Sequence, residues 1–318
     1  MPDPLPTTIT GKAFEAAVLL EVQRQRELLG LGTDIQQDDA TNTALDALNQ
    51  TRDSQKNPYD DYVKAACVSV EMLFRLEPLL RLTRHGRIRV QPDSAGQGGD
   101  VRDVIFTDAS SKMLVGMSCK NNHADLKHQR ISEKIDIGEQ WFGNPSSDFY
   151  WSDIKNVWLE ADRLKSEYHF WTSVPNESSR TILIKGAIDA VGDEIERQMA
   201  RDQGPTRFAE FLVGKHDFYK LIKSDQKKFV IIQAYNLSGG LGKRYAGTES
   251  LIRSTVSLPS EMRRLTYIGD KHIHLCMDGG WQFGLRLHTA SSKIESSLKF
   301  ASSALGLPSS LVTMHCPY

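Results

Sequence analysis

Residues Gly99 to Glu133 read GDVRDVIFTDASSKMLVGMSCKNNHADLKHQRISE, and their periodicity decides the fold. Val101 to Thr107 alternates as a strand, Asp108-Ala109-Ser110-Ser111 is a turn, Met113 to Cys119 is a second strand, and a helix is expected from near Asn122. The stretch thus predicts a hairpin that hands the chain to a helix. Side chains two apart on a strand share a face, so Ser118 and Lys120 point the same way. Asp103 is a carboxylate set among Val101, Val104, Ile105 and Phe106. A hairpin closed at the Asp-Ala-Ser-Ser turn brings it opposite the end of the second strand, where an acid and an ammonium meet at one sheet edge.

On the expected helix Asn122 is the cap and Asp125 suits the positive N-terminus. His123, Lys127, Arg130 and Glu133 recur at three- and four-residue intervals along one side, making a polar, cationic face that ends in a carboxylate. An acid on one strand, a lysine on the next and a glutamate on the adjoining helix are the parts a divalent-metal phosphodiesterase needs. Asp103 and Glu133 would hold Mg²⁺, which polarises a phosphoryl oxygen and acidifies a water. Lys120 would orient that water and steady developing charge, and Ser118 would bond to the metal's ligand shell or to the phosphate.

At these residues the sequence resembles the PD-(D/E)XK nucleases. The usual pattern has an acid two residues before the lysine, a place held here by Ser118; a subset of type II restriction endonucleases has S-x-K there and moves the acid to the following helix. Ser118-Cys119-Lys120 followed by Glu133 resembles that migrated form. The strings GGDVRDV (98–104), SCKNNHADLKHQRIS (118–132) and GWQFGLRLHTASSKIESSLKF (280–300) are similar to the HaeIII family of restriction endonucleases, from about the Tyr59 helix onward. The resemblance implies an α/β fold in which a mixed central sheet is flanked by helices, with a helical N-terminal region (1–85), a nuclease core (86–240) and a β-rich, DNA-contacting C-terminal part (241–318). It also implies Mg²⁺, double-stranded DNA with a GGCC target, and a cognate DNA methyltransferase as functional partner. Restriction enzymes of this fold can draw an extra acid from an N-terminal helix, a role that falls to Glu77.

Composition sets the bounds. The chain has 318 residues, 40% hydrophobic and 25% charged, the proportions of a globular protein rather than a disordered one. No long apolar run and no basic-then-apolar leader are present, so neither a membrane span nor a secretory signal is supported and the cytoplasm is the default. Four cysteines without a C-x-x-C pair imply neither a disulfide framework nor a zinc ribbon. His272, His274 and Cys276 alternate on one strand face, yet without a second ligand pair they read as partly buried strand residues. Net charge is −1, but from Lys215 onward 14 Lys and Arg stand against 7 Asp and Glu, while residues 1–214 hold 25 against 33. That asymmetry suits a polyanion-facing surface in the last third, or a solvated basic face.

Outward from the hairpin, Gly11 to Leu29 predicts an amphipathic helix through Phe14, Val18, Leu19 and Val22, and Asp34 to Gln55 a polar surface segment with a short helix around Leu45 and Leu48. A further helix is expected over Tyr59 to Thr83. Glu77 extends its apolar side, where an isolated charge would be costly and should be neutralised, paired or bound to metal. The aromatics of Phe149 to Phe170 suit a core, with a helix over Ile154 to Leu164. Lys228 to Tyr235 reads as a buried strand. Lys243 and Arg244 sit on a Gly-rich loop that lacks P-loop spacing but can reach a DNA backbone. Strands are expected over Arg264 to Ile268, His272 to Met277 and Gly280 to His288, with Asp278-Gly279-Gly280 as a hairpin turn. Phe283, Leu285 and Leu287 face one way; Arg286 and His288 face the other, and with Ser291 and Lys293 they offer donors for phosphates and guanine edges. The leading expectation is a Mg²⁺-dependent type II restriction endonuclease. A modified-DNA endonuclease and a non-catalytic DNA-binding protein on the same fold are the alternatives, and a symmetric target favours a homodimer.

Overall fold

The computed structural model describes residues 6–54, 58–97, 99–175, 177–243, 252, 254–289 and 291–318. The chain forms two compact units: Met1–Ala124 with Lys215–Val256 and Ser309–Tyr318, and Asp125–Gly214 with Ser257–Pro308.

The first unit contains α1 (Thr7–Leu28), β1 (Gly32–Ile35), α2 (Asp39–Asp53), α3 (Tyr59–Leu76), α4 (Leu79–Leu82), β2 (His85–Val90), α5 (Asp93–Gln97), β3 (Val104–Asp108) and β4 (Met113–Asn121), then β6 (Phe218–Ser224), β7 (Phe229–Tyr235) and β12 (Val312–Pro317). Its strands make one mixed sheet in the order β1-β2-β3-β4-β6-β7-β12, parallel at β1/β2 and β4/β6 and antiparallel elsewhere. The predicted hairpin is β3–β4, with Val104 opposite Met117 and Phe106 opposite Val115. Gly116 is required there: a Cβ would lie 2.2 Å from Cδ of Arg102, which crosses the strand to hold Asp100 through two 2.7 Å hydrogen bonds. Helices cover the sheet with a fully buried layer that includes Phe14, Val18 and Val22 of α1 and Val70 and Leu73 of α3. Area bookkeeping at about 25 cal/mol per Å² makes such burial the main stabilising contribution.

Two expectations in this unit change. The segment 34–55 is not surface filler: it forms β1 and α2, with Ala44, Ala47 and Leu48 buried and Thr41 Oγ1 accepting from the Val90 N–H at 3.1 Å. Its many Asn, Asp and Gln residues lie on the outer side of α2 and hide a thin apolar stripe. The helix expected over 59–83 ends at Leu76, because Pro78 disfavours helical backbone at the residue before it; Glu77 adopts φ −120°, ψ 94°.

The second unit contains β5 (Asp125–Ser132), α6 (Ile137–Phe142), α7 (Asp148–Glu167), α8 (Glu177–Met199), α9 (Gly204–Val213), β8 (Met262–Ile268), β9 (His272–Met277), β10 (Gln282–Thr289) and β11 (Ser297–Gly306). Its sheet runs β5-β11-β10-β9-β8, antiparallel throughout. One face is apolar, and α6 and α9 pack aromatic rings on it: Trp141 lies 5.9 Å from Phe300 and Phe208 6.3 Å from Phe283. The Asp278-Gly279-Gly280 turn joins β9 to β10 as predicted, with both glycines at positive φ, where a side chain would be strained.

The expected helix after Asn122 is absent. Asp125 to Ser132 is β5, paired with β11 from Ser297–Ser132 to Ser303–Asp125. Asn122 has φ +62°, a left-handed conformation that cannot cap a helix in the usual extended geometry. The local helical spacing of polar residues lost to backbone pairing with a strand far along the chain, a non-local term invisible to periodicity.

Candidate active site

Asp103 lies just before β3, at a bend fixed on both sides: its N–H donates to the Met117 carbonyl at 2.7 Å and its carbonyl accepts from the Gln91 N–H at 2.7 Å. That frame aims its carboxylate at the end of β4. One oxygen, Oδ2, accepts from the Ser118 hydroxyl at 3.1 Å, the Cys119 N–H at 2.7 Å and the Lys120 ammonium at 3.1 Å. Among the described residues no donor reaches Oδ1. Asp103, Ser118 and Lys120, expected together from the sequence, therefore are together. Ser118 is buried and points at the carboxylate, so it orients Asp103.

A further acid completes this cluster. Glu15, on α1, is 6% exposed, and Lys12, one turn earlier, reaches its Oε2 at 3.1 Å and Asp93 at 2.8 Å. Burial, and then the charge of Asp103, push the Glu15 carboxyl up to about 8, while Lys12 and Lys120 pull the other way. Burial alone would lower the Lys120 ammonium. Asp103, through charge and hydrogen bond, and then Glu15 outweigh it and hold the group above its ordinary value. A buried carboxyl whose ionisation is opposed by a neighbouring carboxylate, that neighbour having an oxygen without a donor among the described residues, fits a hard divalent cation, whose charge would remove the cost. Sequence reasoning missed Glu15, although the signal was present. It precedes Val18, Leu19 and Val22 by three, four and seven residues, so it sits on the buried stripe of α1, the same argument that singled out Glu77.

Glu77 is itself fully buried, but its oxygens are taken by protein donors: the Tyr219 hydroxyl at 3.1 Å, the Gly242 N–H at 2.8 Å and the Leu79 N–H at 3.3 Å. Burial pushes its carboxyl up and those bonds pull it down. Its place ties β6 and the loop after β7 to the start of α4.

Glu133 is not on a helix. It is exposed in the turn after β5, in the second unit, and lines a cavity with Trp151, Lys155, Trp158 and Asp162. The shared helical side expected for His123, Lys127, Arg130 and Glu133 does not form, because alternation on β5 sends neighbours to opposite faces. Lys127 turns inward, with Nζ 4.0 Å from the Phe211 ring centre and its ammonium lowered by burial. Arg130 turns outward, 3.6 Å from Glu295. Asn122 is engaged with Asp225, whose N–H donates to Asn122 Oδ1 at 2.7 Å. His123 and Lys243 are exposed; Arg244 lies outside the described residues. Arg286 is exposed on β10 and His288 is half-buried with Nδ1 2.9 Å from the Thr289 carbonyl. Ser291 donates to Glu295 at 2.7 Å, and Lys293 is exposed beside it. The four cysteines are free thiols. No described helix is long and apolar enough to cross a membrane.

Comparison with known proteins gives two findings. The family model described as HaeIII restriction endonuclease matches residues 11–308. The type II restriction enzyme HaeIII of Haemophilus aegyptius is 31% identical over 266 residues, covering 81% of this chain and 83% of that enzyme. No solved structure matches.

Proposed function

Since the chain belongs to the HaeIII restriction endonuclease family and is a site-specific deoxyribonuclease, we propose that Asp103, Glu15 and Lys120 are the centre at which it hydrolyses phosphodiester bonds of double-stranded DNA with Mg²⁺. One observation carries the reading: Ser118, the Cys119 N–H and Lys120 converge on a single oxygen of Asp103, whose other oxygen meets no donor among the described residues, and the charge of Asp103 is felt by the buried carboxyl of Glu15.

Asp103 and Glu15 would hold the cation, and when bound it supplies Lewis acidity at a phosphoryl oxygen and acidifies a water. Lys120 keeps its proton, so its part is to orient that water and steady negative charge on the phosphate rather than to act as a base. Ser118 and the Cys119 N–H keep Asp103 from rotating, which fixes the direction of its free oxygen. Glu133, expected as the second ligand from a helix the chain does not form, is the competing candidate. By family resemblance the target is GGCC, a palindrome that suits a two-fold homodimer. A cognate methyltransferase would protect the host's own DNA, both enzymes acting in the cytoplasm.

Digesting a plasmid of known sequence with Mg²⁺ and sequencing the ends tests the activity and the target together. Lys120→Ala is expected to slow cutting by on the order of 10²-fold or more while a gel shift without Mg²⁺ shows DNA still bound. Normal cutting by that variant would overturn the assignment.

A further inference from the structure

The second unit's sheet has two unlike faces. Along β9 and β10 the inward residues Ile273, Leu275, Phe283, Leu285 and Leu287 are buried. Their neighbours His272, His274 and Arg286 point to the other side and keep solvent access. The register sets these outward side chains in rows: Arg286 between His272 and Ala301, Gly284 between His274 and Ser303, and Lys299 between His288 and Arg130. Arg264, opposite Cys276, stands at the far edge.

The charge of this face is lopsided. The five strands carry one acid, Asp125, against six cations, of which Lys127 turns inward and Arg130, Arg263, Arg264, Arg286 and Lys299 keep solvent access. Asp125 is 3.5 Å from His128, Arg130 is 3.6 Å from Glu295, and Arg263 is 3.0 Å from Glu261. Arg264, Arg286 and Lys299 have no ion-pair partner among the described residues. Unpaired like charges on one surface repel one another and add nothing to folding, and a polyanion removes the repulsion. Relief in the surface singles out Arg286. It lines a depression of about 270 Å³ with Asp125, His272, His274 and Ser303. Its floor is Gly284, over which the Leu305 side chain already closes: a Cβ there would come 3.0 Å from Cδ1 of Leu305.

We propose that this open face reads duplex DNA, with Arg286 donating to a guanine edge and Arg264 and Lys299 holding phosphates on either side of it. The proposal rests on duplex DNA being the substrate, and deepens that reading by assigning recognition to a sheet that carries none of Asp103, Glu15 or Lys120. A guanidinium presents a planar pair of donors that matches O6 and N7 of guanine, whereas an ammonium on a phosphate is indifferent to sequence.

The test separates the two roles. A pool of short duplexes with a randomised central segment is equilibrated with protein in Ca²⁺, and bound DNA is sequenced over a range of salt concentrations. The wild type should enrich a G·C-containing motif. Arg286→Ala and Arg286→Lys should both lose enrichment at a guanine position, with affinity for the motif down about 5- to 150-fold. The double variant Arg264→Ala/Lys299→Ala should bind all sequences more weakly and flatten the salt dependence by about one unit of slope per lost phosphate contact. All these side chains are solvent-accessible, and unchanged thermal melting establishes that the variants fold. Full enrichment by Arg286→Ala, an unchanged salt slope in the double variant, or no enrichment by the wild type would each overturn the proposal. Plasmid cutting by the wild type in Mg²⁺ reports separately on the nuclease reading: a protein that never cuts but loses its motif with Arg286 keeps this face and loses the nuclease centre.

Discussion

The two sheets carry their charges in opposite ways. Around the seven-stranded sheet the titratable groups are gathered and paired: Asp103 with Lys120, Glu15 with Lys12, and Arg102 with Asp100. On the five-stranded sheet Arg264, Arg286 and Lys299 are spread over an open face without acidic partners among the described residues. Matched, half-buried charges fix one another's geometry, which chemistry at a phosphate requires. Unmatched, exposed charges fix nothing in the protein and are available to whatever arrives. Cutting and reading make different demands on burial, and the two proposals above assign one to each sheet.

The largest expected effect would break the comparison most directly. Glu15→Gln should lower the cleavage rate by about 10²- to 10³-fold, the scale seen when a preorganised electrostatic group is removed, with DNA binding retained. Glu133→Gln should cut at near the wild-type rate. Single-turnover rates on a plasmid decide it; the reverse ranking would return the second acid to Glu133 and leave α1 a structural helix. Next comes a contrast between two cations. Arg26 of α1 is fully buried and donates to Thr33 Oγ1 at 2.6 Å and to the carbonyls of Leu80, Gly32 and Thr83 at 2.6, 2.9 and 2.8 Å. Arg26→Met orphans those carbonyls and should cost about 3 kcal/mol in urea unfolding. Arg286→Ala should change stability by no more than about 0.5 kcal/mol. Equal losses would mean that the open face also holds the fold together.

The smallest effect is a pH dependence within the second unit. Asp136 caps α6: its Oδ1 accepts from the Glu139 N–H at 3.0 Å and from the N–H and hydroxyl of Ser146 at 2.9 and 2.6 Å. Burial works to raise this carboxyl, but those donors outweigh it and hold it below its ordinary value of 3.8. The unfolded chain therefore takes up the proton first. The stabilisation is complete above the ordinary value and fades as pH falls through the depressed one. Asp136→Ala should cost about 1 kcal/mol at neutral pH and a shrinking amount as pH falls below the ordinary carboxyl value, measured by denaturant titration at each pH.

Much of this was legible beforehand, and what was not has identifiable causes. The β3–β4 hairpin could be read because its alternation, its turn and its odd aspartate all lie within about twenty residues and reinforce one another. The β9–β10 hairpin was readable for the same reason. β5 was misread because HADLKHQR has helical spacing and its real partner, β11, lies more than 160 residues away. β11 went unseen because SLKFASSALG blends small polar with apolar residues. α2 was expected only as a short surface helix around Leu45 and Leu48, because its polar outer side masks the stripe that buries Ala44, Ala47 and Leu48. Glu15 is marked as buried by its apolar neighbours, but it lies more than 80 residues before Asp103, and no local pattern ties two groups so far apart in the chain to one site.

The pairing of β4 with β6 bears on how the protein is made. Met117 lies beside Tyr219 and Lys120 beside Ile222, so the strand presenting the lysine leaves the ribosome well before its parallel neighbour and spends that interval with one edge bare. Contacts of such long sequence range form late and slowly, and an uncovered edge invites pairing with another nascent chain. Rapid overexpression should therefore favour aggregates in which this edge has found the wrong partner, and slower synthesis at low temperature should raise the yield of active enzyme.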